Sequence, residues 1–265
     1  MTINVVIAGP RGNMGSEAVK MVMNEAEFRL VACIDRKNNG KTLNEVLPGT
    51  EAAVPIYNDA RECFKQHEEA DVLIELSVPS AGYNHTKIAL EHYIRPVVGT
   101  TGFTESQLQE LDTLAQQQNM GCMIVPNFAV GAVLMMKFAK MAAKYFADVD
   151  IIEKHHDGKL DAPSGTAIKT AELIRENRVP KKQGHPDEKE TLPGARGADL
   201  DGIRLHSVRL PGLVAHQEVI FGSPGQTLTI KHDSINRTSF MAGIRLSIEK
   251  VMETKGLTYG LENIL

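Results

Sequence analysis

The sequence predicts an α/β fold: a doubly wound parallel sheet, with a second α+β domain inserted ahead of a C-terminal return helix. Three observations predict it. Short apolar runs alternate with helix-period segments through the first half of the chain. A glycine turn follows the first of those runs and opens the first helix. Beyond Asn127 the pattern changes to longer strand-like segments separated by glycine turns, and a final helical segment follows them.

The elements follow in order. Ile3–Ala8 is a short apolar run ending at glycines, as expected of a parallel strand buried on both faces. Helical spacing from Gly12 to Asn24 runs through Met14, Ala18, Met21 and Val22. Phe28–Ile34 reads as the second strand, closed by Asp35, and 37–55 as loop with a short helical piece. Strands are expected at 71–76, Arg95–Val98 and 121–125, with helices at 82–92 and 105–118 between them. After these come a helix rich in Met and Ala at 131–146, a strand at 149–154 and a helix at 166–177. The stretch 180–201, rich in Lys, Gly, Pro and Asp, reads as a long loop. Ile203–Arg209, 214–221 and 226–231 read as strands whose consecutive order favours antiparallel pairing, and 237–254 as the closing helix. The expected division is a dinucleotide-binding domain of 1–127 and 239–265 around an inserted domain of 128–238.

At 265 residues the chain is long enough for one large domain or two modest ones. A formal net charge of −4 gives no reason to expect nucleic acid or an anionic membrane as partner. The longest apolar runs fall far short of a membrane span, and strand residues follow Met1 directly, so neither an anchor nor a leader is expected. Cys33, Cys63 and Cys122 are widely spaced in apolar segments, which fits reduced, buried thiols in a cytoplasmic protein.

Gly9-Pro10-Arg11-Gly12-Asn13-Met14-Gly15 places G-x-x-G-x-x-G between a strand and a helix. Glycines let a backbone turn tightly and approach a pyrophosphate, which then meets the N–H groups and positive end of the helix. Asp35 lies at the end of the second strand, where an acid can accept hydrogen bonds from a ribose 2′-OH. This is the context of a Rossmann-type dinucleotide site. Asp35 favours NADH, whereas Arg36 and Lys37 can neutralise a 2′-phosphate and favour NADPH, so use of both is expected. Gly99-Thr100-Thr101-Gly102 and Pro126-Asn127-Phe128-Ala129 follow later strands at their carboxyl ends, the edge that lines the ligand crevice of such sheets. The first can serve nicotinamide or its ribose, or cap a helix; Asn127 can hold a carboxamide, or simply turn the chain.

The densest chemistry lies between Glu153 and Thr166. Two imidazoles, His155 and His156, and the Lys159 ammonium precede Ser164-Gly165-Thr166 at a strand-to-helix junction. Backbone N–H groups and hydroxyls at a helix start form a cradle for carboxylate or phosphate, and Lys159 adds a full charge. Histidine and lysine also supply proton donors. Adjacent strand residues point to opposite faces and no third ligand is near, so no metal is expected.

The run His155-His156-Asp157-Gly158-Lys159-Leu160-Asp161-Ala162-Pro163-Ser164-Gly165-Thr166-Ala167 resembles the signature of the dihydrodipicolinate reductase family. The Gly9 turn, Gly99-Thr100-Thr101-Gly102-Phe103, Asn127-Phe128 and Asn236-Arg237 with Phe240 are similar to that family's other motifs, in the same order. Leu210-Pro211-Gly212 departs from the Gly-Gly that many members carry. The resemblance implies a 4-hydroxy-tetrahydrodipicolinate reductase of diaminopimelate and lysine biosynthesis, passing hydride from NADPH or NADH to C4 of a cyclic dicarboxylate to give tetrahydrodipicolinate. It implies His155 as proton donor or acceptor, Lys159 as proton donor, and His156, Ser164, Gly165 and Thr166 as substrate ligands. The cofactor residues it implies are Gly9, Pro10, Arg11, Gly12, Asn13, Met14, Asp35, Arg36, Gly99, Thr100, Thr101, Val125, Pro126, Asn127, Phe128 and Arg237. It further implies a homotetramer assembled through the second domain's sheet. Two other readings compete: another Rossmann oxidoreductase, such as an amino-acid dehydrogenase or a semialdehyde dehydrogenase (the latter needs a nucleophilic cysteine that the site segment lacks), and a nucleotide sensor without turnover.

Overall fold

The computed structural model describes residues 2–265. They form two compact units: residues up to Phe128 together with Arg237–Leu265, and Ala129–Asn236. The breaks fall after Phe128 and before Arg237, where the sequence placed them after Asn127 and before residue 239. Backbone packing explains the first shift. A Cβ on Gly243 would lie 1.9 Å from the Phe128 carbonyl oxygen, so Phe128 is seated against the return helix of the first unit.

In the first unit, with elements numbered in chain order throughout, strands β1 (Ile3–Ala8), β2 (Phe28–Ile34), β3 (Ile56–Tyr57), β4 (Val72–Glu75), β5 (Arg95–Val98) and β6 (Gly121–Ile124) alternate with helices. The helices are α1 (Asn13–Asn24), α2 (Leu43–Val46), α3 (Ala60–Gln66), α4 (Pro79–Glu91) and α5 (Glu105–Gln117). The return consists of a 3-10 turn (Arg237–Phe240), α8 (Met241–Val251) and β12 (Gly256–Tyr259). Among the described residues the sheet has seven strands in the order β12-β6-β5-β4-β1-β2-β3, every pair parallel. Val5, Val6, Ile7 and Ala8 are fully buried because helices cover both faces, which is why β1 reads as an apolar run from Val5 onward. The order reverses between β1 and β4, so their carboxyl ends define the crevice of a doubly wound sheet.

Two short strands and a helix escaped the sequence reading. β3 has two residues, β12 (GLTY) is not an apolar run, and α3 is a seven-residue helix between polar turns. The chain was expected to end its fold with the return helix; instead β12 extends the sheet beside β6.

The second unit contains α6 (Val130–Ala142), β7 (Asp148–His155), α7 (Gly165–Arg175), β8 (Ala198–Leu200), β9 (Ile203–Arg209), β10 (Ala215–Ser223) and β11 (Gln226–Ser234). Its sheet runs β11-β10-β7-β9-β8, with α6 and α7 packed on it. The expected consecutive antiparallel pairing holds for β10 and β11 and fails for β9 and β10. β7 stands between them, antiparallel to β10 and parallel to β9. β7 is the middle strand of the five, and one alternating row of its side chains is buried. Part of the long loop also becomes β8, antiparallel to β9. Val149, Ile151 and Glu153 form that buried row of β7, so a carboxylate occupies a position the alternation assigns to an apolar side chain.

Candidate active site

Within the first unit, the Gly9 turn is dictated by space. Gly9 has φ +79°, and a Cβ there would lie 2.8 Å from the Leu76 carbonyl oxygen after β4. A Cβ on Gly15 would lie 2.0 Å from the Gly9 oxygen. Glycine is therefore required at both positions for the strand to turn and the helix to start against it. The opening of α1 is left with Gly12 as its N-cap and no side-chain cap. That start borders a crevice of about 490 Å³ whose lining includes Gly9, Arg11, Gly12, Asp35, Arg36 and Ser77.

Asp35 is buried and fully engaged. Arg11 donates to it from Nε at 2.6 Å and Nη2 at 3.1 Å, the Lys37 amide at 2.9 Å and Asn38 Nδ2 at 3.3 Å. Burial works against the Asp35 charge, but the hydrogen bonds from Arg11 and Lys37 prevail and hold its carboxyl below the usual range. Arg36 and Lys37 are exposed beside it. The sequence pointed to Arg11 only as a member of the turn; its fork on Asp35 is a tertiary contact between two elements.

A second buried carboxylate, Glu75 at the end of β4, was missed by the sequence reading. It accepts from the Ser77 amide at 2.8 Å, the Ser77 hydroxyl, His85 Nδ1 at 2.7 Å and Thr100 Oγ1 at 3.3 Å. Through it Thr100, buried after β5, is tied to the Ser77 turn that lines the crevice. Thr101 and Pro126 are exposed, Asn127 is half-buried, and Val125 and Phe128 are buried after β6. A Cβ on Gly99 would lie 2.8 Å from the Phe128 ring, which brings the β5 and β6 ends together. Arg237 is exposed on the 3-10 turn that packs beside α1, and so belongs to the same unit as the glycine turn. A fork-bearing Arg11, an acid at the end of β2 and glycines that admit close backbone approach suit the two phosphates and ribose of a dinucleotide.

Within the second unit the residues of the signature come together at the carboxyl end of β7. His155 Nδ1 meets Glu153 Oε2 at 2.5 Å. Arg209, at the end of neighbouring β9, grips the same carboxylate with Nη1 at 2.9 Å and Nη2 at 2.7 Å, and the Ser164 amide donates to it at 3.2 Å. Burial works against the Glu153 charge, yet the hydrogen bonds from Arg209, Ser207 and His155 hold its carboxyl below the usual range. Burial also pushes the His155 imidazole below its ordinary value; Glu153 opposes this, while Lys159 and Arg209 reinforce it.

His156, just past the end of β7, is exposed, and the loop is held compact by the Lys159 amide donating to its carbonyl at 3.2 Å. Lys159 Nζ rests on Asp161 Oδ1 at 2.6 Å. Ser164 is the N-cap of α7, its hydroxyl accepting from the Ala167 amide at 3.2 Å. Gly165 opens the helix in free space: beyond its chain neighbours and its own helix backbone, no atom lies within 4 Å of where its Cβ would be. Thr166 is half-buried beside it. Beneath, Gln217 Nε2 donates to Thr170 Oγ1 at 2.8 Å, and Thr170 to the Thr166 carbonyl at 2.7 Å, anchoring the turn to the sheet. A cationic, proton-bearing loop above an open helix start can receive an anionic ring and exchange a proton with it.

Other features bound the chemistry. Cys33, Cys63 and Cys122 are buried and free, and burial pushes the Cys63 thiol up to about 12, which makes it a poor nucleophile. Among the described residues no group of three His, Cys, Asp or Glu is arranged to hold a metal, and no helix is long and apolar enough to cross a membrane.

Together the parallel sheet, its glycine turn and the acid after β2 define a Rossmann-type dinucleotide-binding protein. Family models described as the N-terminus and C-terminus of dihydrodipicolinate reductase match residues 3–128 and 131–265, and the chain belongs to that family. A 4-hydroxy-tetrahydrodipicolinate reductase of Oceanobacillus iheyensis is 65% identical over 266 residues, covering 100% of both chains. One of Bacillus subtilis is 61% identical over 264 residues, covering 100% of this chain and 98% of the other. A solved structure, the dipicolinate-bound dihydrodipicolinate reductase from Paenisporosarcina sp. TG-14, superposes with a TM-score of 0.92 at 55% identity over 100% of both chains.

Proposed function

We propose that the chain is a 4-hydroxy-tetrahydrodipicolinate reductase, reducing the cyclic dicarboxylate to (S)-2,3,4,5-tetrahydrodipicolinate with NADPH or NADH in diaminopimelate and lysine biosynthesis. The observation that carries the reading is the β7 site: a carboxylate-held imidazole and a lysine beside a helix start whose glycine leaves room for a ligand. Full-length identity to reductases of that name supports it, as does the dipicolinate carried by the similar solved structure.

Replacing the 4-hydroxyl by hydrogen takes one hydride and one proton and releases water. The bound nicotinamide supplies the hydride. The chain's own residues do the rest. Gly9, Pro10, Arg11, Gly12, Asn13 and Met14 receive the pyrophosphate; Asp35 and Arg36 take the adenosine ribose or its 2′-phosphate. Gly99, Thr100, Thr101 and the segment Val125 to Phe128 line the nicotinamide end, with Arg237 a further contact. His156, Ser164, Gly165 and Thr166 hold the substrate carboxylates, and the Lys159 charge offsets the dianion. His155, whose imidazole is disfavoured as a cation, handles a proton at Nε2, and the one proton that the reduction consumes reaches the substrate from His155 or Lys159. We also place the chain in the cytoplasm, as a homotetramer joined through the second unit's sheet.

The test is a coupled assay with synthase-generated substrate, run with NADH and NADPH in parallel. The reading expects substrate-dependent loss of reduced cofactor with both. Saturable nucleotide binding without turnover would instead identify a nucleotide sensor.

A further inference from the structure

Glu153 is a fully buried carboxylate in a strand row otherwise made of Val149 and Ile151, and burying such a charge costs stability unless it is paired. Here both oxygens are occupied. Arg209 spans them with its two terminal nitrogens, and His155 Nδ1 and the Ser164 amide fill the remaining positions. Arg209 also donates to the Asp161 carbonyl at 2.8 Å, so one guanidinium joins β7, β9 and the loop that carries Lys159.

We propose that Glu153 and Arg209 are a positioning pair that presents His155 as a neutral imidazole with Nε2 as its free nitrogen. An ionised carboxylate only accepts hydrogen bonds, so the nitrogen facing it must carry the proton and the lone pair is left on Nε2. A carboxylate alone would also favour the imidazolium. The Arg209 fork takes up that charge through two hydrogen bonds, so the ring gains orientation without being driven to the cation. The other charged neighbour is Lys159 on the loop; β10 places uncharged Ala215 opposite His155, and the start of α7 carries Ser164, Gly165 and Thr166. The inference rests on the reading of His155 as the proton-handling group. It adds two positioning residues, one from a strand more than fifty positions away in the chain.

Nitrogen-15 NMR of histidine-labelled full-length protein, with His155 assigned by His155→Gln, tests it. In the unsubstituted protein at neutral pH, Nδ1 should be protonated and Nε2 not. Glu153→Gln removes the negative partner and leaves Arg209, so the His155 titration should fall by about one pH unit and both tautomers should appear. Arg209→Met leaves the carboxylate uncompensated, so the titration should rise by about one pH unit. Should that variant not fold, Arg209→Lys keeps a charge without the fork and should give a smaller upward shift. Shifts of the same sign, no shift, or an Nε2–H tautomer in the unsubstituted protein would overturn the proposal. The acid limb of kcat/KM should follow the NMR titrations. Opposed NMR shifts with an unmoved limb would overturn the proton role of His155 and leave the pair's hold on the ring standing.

Discussion

The two helix starts of this chain, at Gly12 before α1 and at Ser164 before α7, offer similar N–H groups to an anion but are built in opposite ways. In the first, glycine is demanded by the protein itself: Gly9 and Gly15 have backbone oxygens where a Cβ would go. In the second, Gly165 faces open space, and a serine side chain caps the helix. The first turn is shaped by packing, with Gly9 and Gly15 set by the backbone oxygens beside them. The second has room that the fold does not need at Gly165, which is the room the proposed substrate reading uses. A glycine's role is thus read from what surrounds its missing side chain.

Substitutions can break this contrast. The largest effect is expected at the second site's chemistry: Lys159→Ala should lower kcat by at least ~10²-fold, since a positioned proton donor typically contributes that much. Steady-state rates check it, and an unchanged kcat would remove Lys159 from the chemical step. Next, Gly15→Ala should destabilise the protein by about 1–3 kcal/mol, the usual cost of forcing atoms into packed space. Denaturant unfolding measures this. The mirror experiment, Gly165→Ala, should leave stability within about 0.5 kcal/mol while raising substrate KM. If Gly165→Ala unfolds the chain as readily as Gly15→Ala, the contrast between the two turns is wrong.

Cofactor choice sharpens the first turn. Because Asp35 is shared between Arg11 and any ribose, kcat/KM for NADH and NADPH should lie within about a thousandfold, or ~4 kcal/mol. Asp35→Ala should move the ratio toward NADPH by about tenfold, as the acid goes and Arg11 is released. The smallest effect is a pH dependence. The folded His155 value lies below its unfolded one, so its neutral form stabilises the protein fully above pH ~6.5 and that contribution is lost as pH falls through the folded value. The acid limb of kcat/KM should therefore lie below pH ~6.5, and a rate profile at saturating cofactor checks it.

Much of this was legible because it is local. An apolar run, then glycines, then helical spacing makes β1-turn-α1 readable from adjacent residues, and the signature from His155 to Thr166 is contiguous. Glu75 and Glu153 were not singled out. The available signal was weak: an acid in an apolar strand row, visible only once the strand and its face are known. Arg209 gave no local signal, since its importance depends on β9 lying beside β7, and the consecutive order of strands suggested a different neighbour.

By itself the sequence determined the α/β class, the glycine turn with its acid, and the cluster of imidazoles, lysine and cradle, because each depends on periodicity or on chemistry within a few residues. Only the tertiary structure decided which carboxylates meet which cations. Arg11 on Asp35 and Arg209 on Glu153 are contacts between separate elements, set by sheet order and strand register. A buried charge is tolerated only where the fold brings a partner to it, and that pairing is made in three dimensions.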